Sequence, residues 1–150
     1  MADVSEHLDH PILGPLGWSA ESSHWFTQSP LPDGRQMDVV VDPGDGDRHA
    51  FLPRAAELYQ WAMKNERRVL TKAMRAELLE LYNDTWRRSD LPELSAKELT
   101  ARLVWQLLVV RASEVVPVEF SYAAGDLFGN HVVAIEVDDD LQFSDIDLRG

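Results

Sequence analysis

At 150 residues, 45% hydrophobic and 27% charged, the chain has the size and make-up of one globular domain, which sets aside the disordered and collagen-like classes. A net charge of -12 argues against nucleic acid or an anionic membrane surface as the main partner, since both would repel the protein. The absence of cysteine removes disulfides, thiolate zinc sites and a cysteine nucleophile, and no apolar run approaches the roughly 20 residues of a membrane helix.

Residues 1–10 read as a mobile tail, and residues 11–150 as a single domain. The tail is acidic and lacks the basic and apolar regions of a secretory signal, so none is expected. Pro11, Gly14, Pro15 and Gly17 punctuate a turn-rich entry, with a short strand at Trp18 and an aromatic-rich one from His24 to Gln28. Pro30 to Gly34 is a turn, because proline presets φ and glycine accepts positive φ. Arg35 to Asp42 then alternates, with Met37, Val39 and Val41 on one face, which marks a half-buried strand and completes a hairpin.

From about Ala50 the period changes. Phe51, Ala55, Leu58 and Ala62 fall at helical spacing, with Pro53 suited to a first turn. Leu70, Met74, Leu78 and Leu81 predict a second helix, with Tyr82 and Trp86 beside them and a break at Asn65. Asp90-Leu91-Pro92 closes it. Ser95 with Glu98 three residues on predicts a capping box and a short helix from Ala96 to about Leu103.

Strand signals then return. Val104 to Val110 is nearly all apolar, as in a central strand buried on both faces. Val116 to Tyr122 alternates with Val118, Phe120 and Tyr122 inward, and Pro117 belongs near a strand start or an edge. Val133, Ile135 and Val137 share a face. Leu141 to Leu148 slips in phase, which a bulge near Ser144 and Asp145 would reconcile, and Asp138 to Asp140 is the turn between these two strands. The expected class is α+β, a mainly antiparallel sheet of about five to seven strands packed on a layer of two to three helices.

The stretches Ala76-Glu-Leu-Leu-Glu-Leu-Tyr-Asn-Asp-Thr-Trp86, Leu94-Ser-Ala-Lys-Glu-Leu-Thr-Ala-Arg-Leu103 and Val118-Glu-Phe-Ser-Tyr-Ala-Ala-Gly-Asp-Leu-Phe-Gly-Asn-His-Val132, with the opening Ile12-Leu-Gly-Pro-Leu-Gly-Trp18, resemble the prokaryotic family known as domain of unknown function 2262. The most specific element is Asp126, Phe128, Gly129 and His131 ahead of a strand, with Asn130 where the family pattern places glycine directly before the histidine. The resemblance implies a bacterial, cytoplasmic, single-domain protein and carries no activity with it.

Charge is partitioned along the chain. Residues 1–48 hold nine acids and two bases, residues 49–104 eight acids and ten bases, and residues 105–150 nine acids and two bases. Both strand-rich thirds are therefore net -7, and the helical third is net +2. This layout supports a non-enzymatic domain that presents a negative surface to a basic protein, for example an immunity-type protein covering a basic toxin. Asp138, Asp139 and Asp140 are protein-binding candidates on that surface, and Trp18 and Trp25 are candidate aromatic anchors if exposed. Trp61, Trp86 and Trp105 lie in apolar patterns and read as core.

The alternative is a small hydrolase-like or metal-assisted enzyme centred on His131 and Asp126, a loop histidine near a carboxylate that could act as general base or ligand. The plainer reading of His131 is a ring that orders its own loop, because no spaced second histidine accompanies it. Asp42, Asp45 and Asp47 lack the distal glutamate of a calcium loop and read as a solvated turn. Lys64, Arg68, Lys72 and Arg75 form a basic stripe on one helix face, either for an acidic partner or simply solvated. No phosphate-binding glycine motif or nucleophile elbow occurs, and no cofactor is expected. A concave pocket joining His131 to further polar groups would favour the enzyme; a broad acidic or aromatic patch would favour binding. A self-associating structural or regulatory domain is a third possibility.

Overall fold

The computed structural model describes residues 4–150. The fold is α+β. Eight strands form one sheet in sequential order: β1 (Val4–His10), β2 (Gly14–Ser19), β3 (His24–Pro30), β4 (Gln36–Asp42), β5 (Val104–Arg111), β6 (Val118–Ala123), β7 (Val132–Val137) and β8 (Phe143–Arg149). Every neighbouring pair is antiparallel except β4 and β5, which run parallel because the helices cross over between them. The two acidic thirds of the chain thus lie side by side in a single sheet.

One long helix covers one face. It is α-helical over Leu52–Ala73, passes through a π-helical segment at Met74–Leu78 and an α-turn at Leu79–Leu81, and ends in a second π-helical segment at Tyr82–Trp86. We label this unbroken rod α1. The predicted break at Asn65 is corrected: the Asn65 amide donates to the Trp61 carbonyl one turn back at 2.8 Å, and the 54–91 stretch contains neither glycine nor proline to end a helix. The short helix α2 (Ala96–Ala101) begins with the expected capping box. Glu98 N–H donates to Ser95 Oγ at 3.1 Å, and Ser95 N–H donates to the Glu98 carboxylate at 3.0 Å.

The covered face of the sheet carries Trp25, Met37, Val39, Val41, Leu108, Val110, Val118, Phe120, Val133, Ile135 and Val137, all fully buried. They meet Ala55, Leu58, Ala62, Val69, Leu70, Ala73 and Leu78 of α1 in one core. Trp105 joins this core, with its ring 5.6 Å from that of Phe120, while Trp61 and Trp86 are half-buried at its margin. The strand β5 is buried on both faces only in its second half, since Val104 and Gln106 are exposed and Gln106 sits at a bulge. The phase slip in β8 is the expected bulge: Val137 faces Phe143 and Glu136 faces Asp145, leaving Ser144 unpaired.

The sheet has one strand more than the upper expectation, and that strand lies in the segment read as a tail. β1 is tied down by chemistry as well as backbone pairing. The Glu6 carboxylate accepts from Arg48 Nη2 at 2.7 Å and lies 2.7 Å from His49 Nε2, which holds its carboxyl below the usual range, and Leu8 packs against the core. The following turn is closed by His10, whose Nδ1 accepts from the backbone N–H groups of Ile12 and Leu13 at 3.1 and 3.2 Å.

Candidate functional site

Because strand side chains alternate, the register fixes what the uncovered face of the sheet presents. Across it lie Phe26 and Gln28 of β3, Asp38, Val40 and Asp42 of β4, Leu107, Val109 and Arg111 of β5, Glu119 and Ser121 of β6, Ala134 and Glu136 of β7, and Asp145, Asp147 and Arg149 of β8. From β3 to β8, six carboxylates share this face with two arginines, and the register adds Asp9 of β1 at its edge. Neither N-terminal nor C-terminal third makes such a surface alone; the parallel β4–β5 pairing assembles it.

Its centre is a buried charge. Glu119, 1% exposed, accepts from Arg111 Nη2 at 3.0 Å and from Arg149 Nη1 at 2.6 Å, and Ser121 Oγ donates to it at 3.4 Å. Arg149 also reaches Glu136 at 3.4 Å and Asp147 at 2.9 Å. The two arginines lie across the sheet and hide Glu119 under their stems, which is how a carboxylate becomes buried without a helix above it. Glu136 stands directly opposite Glu119 in the register, and its carboxyl is pushed above the usual range by desolvation and then by the Glu119 charge.

The β2–β5 half of the same face is apolar at its centre. Phe26, Val40 and Leu107 floor a trough of about 760 Å³ edged by Gln28, Gln36 and Asp38, with exposed Val4 at one end. Val4 lies close over Gly17, where an added Cβ would come within 3.1 Å of its side chain, so glycine at 17 makes room for β1.

A second concavity lies on the helical side. The β3–β4 turn, one face of α1, α2 and the start of β5 enclose a cleft of about 680 Å³, floored by Trp105 and Tyr122 and walled by Leu31, Met63, Leu70 and Leu103. Tyr122 Oη–H donates to the Glu66 carboxylate at 2.5 Å. Burial pushes the Tyr122 phenol well above its ordinary value, and Glu66 adds to the shift, so the phenol remains the donor. Arg35 closes the turn side, with Nε on Asp33 at 2.8 Å and Nη1 on the Trp105 carbonyl at 3.0 Å. Arg67 and Lys97 line the cleft as exposed cations.

The sequence-predicted residues fall in several places. Trp18 and Trp25 are corrected from candidate anchors to core, at 7% and 0% exposure, because β2 and β3 point both rings to the covered face. They meet edge-on at 5.2 Å; Arg48 lies 4.7 Å over Trp18, and Trp25 Nε1 donates to the Arg48 carbonyl at 3.1 Å. Asp138, Asp139 and Asp140 form the β7–β8 turn, where Asp138 Oδ1 accepts from the backbone N–H groups of Asp140 and Gln142 at 3.0 and 3.1 Å. Their carboxylates lie within 4.8 Å of one another, a spacing the turn itself explains.

His131 orders its own loop. Nδ1 lies 2.7 Å from the Phe128 carbonyl, which can only accept, so Nδ1 carries the proton, and the ring packs against Trp86 at 5.4 Å. Asp126 is exposed, and among the described residues its carboxylate makes no hydrogen bond to His131. Neither residue lines the two concavities above. Asn130 takes φ +69°, a conformation glycine adopts freely and asparagine tolerates better than most residues.

The remaining acidic loop satisfies itself: Asp42 accepts from Gly44 N–H, and Asp47 from His49 and Ala50 N–H, each at 2.9 Å. Those backbone donors hold the Asp47 carboxyl below its usual value. Lys64, Arg68, Lys72 and Arg75 are all exposed along α1, with Arg68 on Asn65 at 3.1 Å and Lys72 on Gln142 at 3.3 Å. Sequence reasoning missed both Glu119 and the Glu66–Tyr122 pair. A glutamate at an outward position beside Pro117 reads as solvated until its arginines arrive from other strands. Among the described residues, no helix is long and apolar enough to cross a membrane. Comparison with family models, curated proteins and solved structures gave no match.

Proposed function

We propose that the protein is a non-enzymatic binding domain whose uncovered sheet face receives a basic protein, in the manner of an immunity-type protein. The observation that carries this is the composition of one continuous face over β3–β8: Asp38, Asp42, Glu119, Glu136, Asp145 and Asp147 against Arg111 and Arg149, net -4 from six acids and two bases, beside an apolar trough at Phe26, Val40 and Leu107. A partner that offers lysines or arginines around an apolar strip matches both halves, with the apolar strip supplying affinity and the charges supplying orientation and encounter rate. The reading includes membership of domain of unknown function 2262, on the stretches quoted above. The enzyme alternative gains no support from geometry, since Asp126 makes no hydrogen bond to His131 among the described residues and neither residue lines either concavity.

The test uses a peptide of alternating Lys and Leu, its Glu–Leu counterpart, and the intact protein. The Lys–Leu peptide should bind and the Glu–Leu peptide should not. Binding should weaken as salt shortens the Debye length from about 10 Å at 0.1 M to about 3 Å at 1 M. Amide resonances of β3–β5 should move on titration. Asp38→Asn with Asp147→Asn should lower the affinity, and Leu107→Gln should lower it independently of salt. Equal binding of both peptides, or resonance shifts confined to α1, would sink the reading.

A further inference from the structure

The helical-side cleft is chemically unlike the rest of this acidic molecule. Its acids are engaged: Asp33 by Arg35, and Glu66 by the Tyr122 hydroxyl. Two of its cations are not. Among the described residues, Arg67 and Lys97 make no ion pair or hydrogen bond, although they come from different helices and line the same space. Behind them Leu31, Met63, Leu70, Leu103 and Trp105 offer a continuous apolar wall, and Trp105 is anchored by donating Nε1 to the Leu107 carbonyl at 3.1 Å. The volume, about 680 Å³, lies in the range of small-molecule sites, roughly 300–1,000 Å³.

We propose that this cleft binds a small organic anion with an apolar body, its charged end between Arg67 and Lys97 and its body against Trp105, Met63 and Leu103. The arrangement divides the work in the usual way for such sites. Apolar walls supply most of the contact, and a few polar groups fix orientation. A planar aryl body suits the pairing of an indole with a methionine thioether, both of which favour aromatic contact. The charged end sets affinity and orientation, because Arg67 and Lys97 offer charge-assisted contacts that an uncharged ligand forgoes. The Tyr122–Glu66 hydrogen bond fixes the floor, and the three cations of the lining, Arg35, Arg67 and Lys97, outnumber its two carboxylates, Asp33 and Glu66. This site is separate from the open sheet face and does not depend on the reading of that face.

The probe is naphthalene-2-sulfonate, with neutral naphthalene-2-methanol as its uncharged counterpart, titrated into isotopically labelled full-length protein at physiological salt. The sulfonate should shift amide resonances in the 31–35, 63–70 and 97–105 stretches, and the alcohol should shift the same set at higher concentration. Arg67→Gln with Lys97→Gln should weaken the sulfonate about tenfold and leave the alcohol unchanged, as expected for losing charge-assisted contacts alone. Arg68→Gln with Arg75→Gln removes the same net charge from α1 outside the cleft and should leave both probes unchanged. All four residues are exposed, so the variants should keep the parent spectrum elsewhere. The proposal is overturned if the sulfonate gives no shifts, if its shifts map to Phe26 and Leu107, or if the Arg67 and Lys97 changes have no larger effect than the Arg68 and Arg75 changes.

Discussion

The two faces of the sheet bury side chains by different means. On the covered face, Phe120, Ile135, Val39 and their neighbours are sealed because α1 lies over them. On the open face no helix intervenes, yet Glu119 is as inaccessible as Phe120, its neighbour in the same strand. There the cover is two arginine side chains held across the strands by the carboxylate they hide. The difference has consequences for what each face can tolerate. The covered face depends on volume and loses stability when a methylene is removed. The open face depends on matched charge and loses stability when one sign is removed without the other.

The largest effects should come from breaking each face by its own rule. Phe120→Ala should cost about 3–5 kcal/mol in chemical denaturation, as for other fully buried aromatics, while Phe26→Ala on the open face should cost about 1 kcal/mol. Similar costs for the two would mean that the trough is as packed as the core. Arg111→Met with Arg149→Met strands Glu119 as an uncompensated buried charge and should cost about 3–5 kcal/mol. Adding Glu119→Met to that pair should recover most of the loss, because three apolar side chains can share the space. If the triple variant is no more stable than the double, the cost does not come from an uncompensated charge at Glu119.

A smaller effect sharpens the comparison through pH. Glu136 has its folded pKa raised from 4.5 by desolvation first and by Glu119 second. The folded state therefore holds this proton more tightly than the unfolded chain does. Between the unfolded value and the raised folded one, stability falls as pH rises, and above the raised value the penalty is constant. Glu6, Asp47 and Glu98, whose pKa values are lowered, act with the opposite sign: their contribution is present above the ordinary carboxylate range and is lost as pH falls. The Glu136 share is isolated by difference. Glu136→Gln should stabilise the protein at neutral pH by no more than about 1 kcal/mol, and the gain should vanish on acidification. A gain that persists at low pH would assign the effect to packing.

The covered face was largely legible in the sequence, and the open face was not. Period-two alternation identified Met37, Val39 and Val41, and the mismatch between Leu141 and Ile146 was enough to locate the bulge at Ser144, because each of these signals is local. The helix break was misread because Asn65 is a poor helix former in isolation, whereas a side chain bonded to the carbonyl one turn back fits within a helix. β1 escaped notice because Leu8 is its one core-packed hydrophobe and its anchors, Arg48 and His49, lie about forty residues on. Glu119 and Tyr122 met the same obstacle. Arg149 lies 30 residues from Glu119 and Glu66 lies 56 from Tyr122, and composition places no residue beside another at that distance. The acidic thirds could be counted in advance, but only the parallel β4–β5 pairing shows that they form one surface.

The smallest structural effect, and the sharpest test of that surface, is at the β7–β8 turn. Asp138, Asp139 and Asp140 continue the acidic face beyond the end of the strands, and the turn uses one carboxylate oxygen, Asp138 Oδ1, as a backbone acceptor. Asparagine offers an equivalent oxygen and suits the same backbone, so replacing all three with Asn should change stability by less than about 0.5 kcal/mol. It removes three of the protein's charges, taking the net from -12 to -9. Rim charges of this kind act on encounter more than on the bound state. In stopped-flow mixing with the Lys–Leu peptide, the association rate should therefore fall by roughly two- to threefold at 0.1 M salt, with dissociation unchanged, and the variants should converge at 1 M as screening shortens the range of the field. An unchanged association rate would exclude the turn from the surface that steers the partner. A faster dissociation rate would place these aspartates in direct contact with the peptide, inside the interface rather than at its rim.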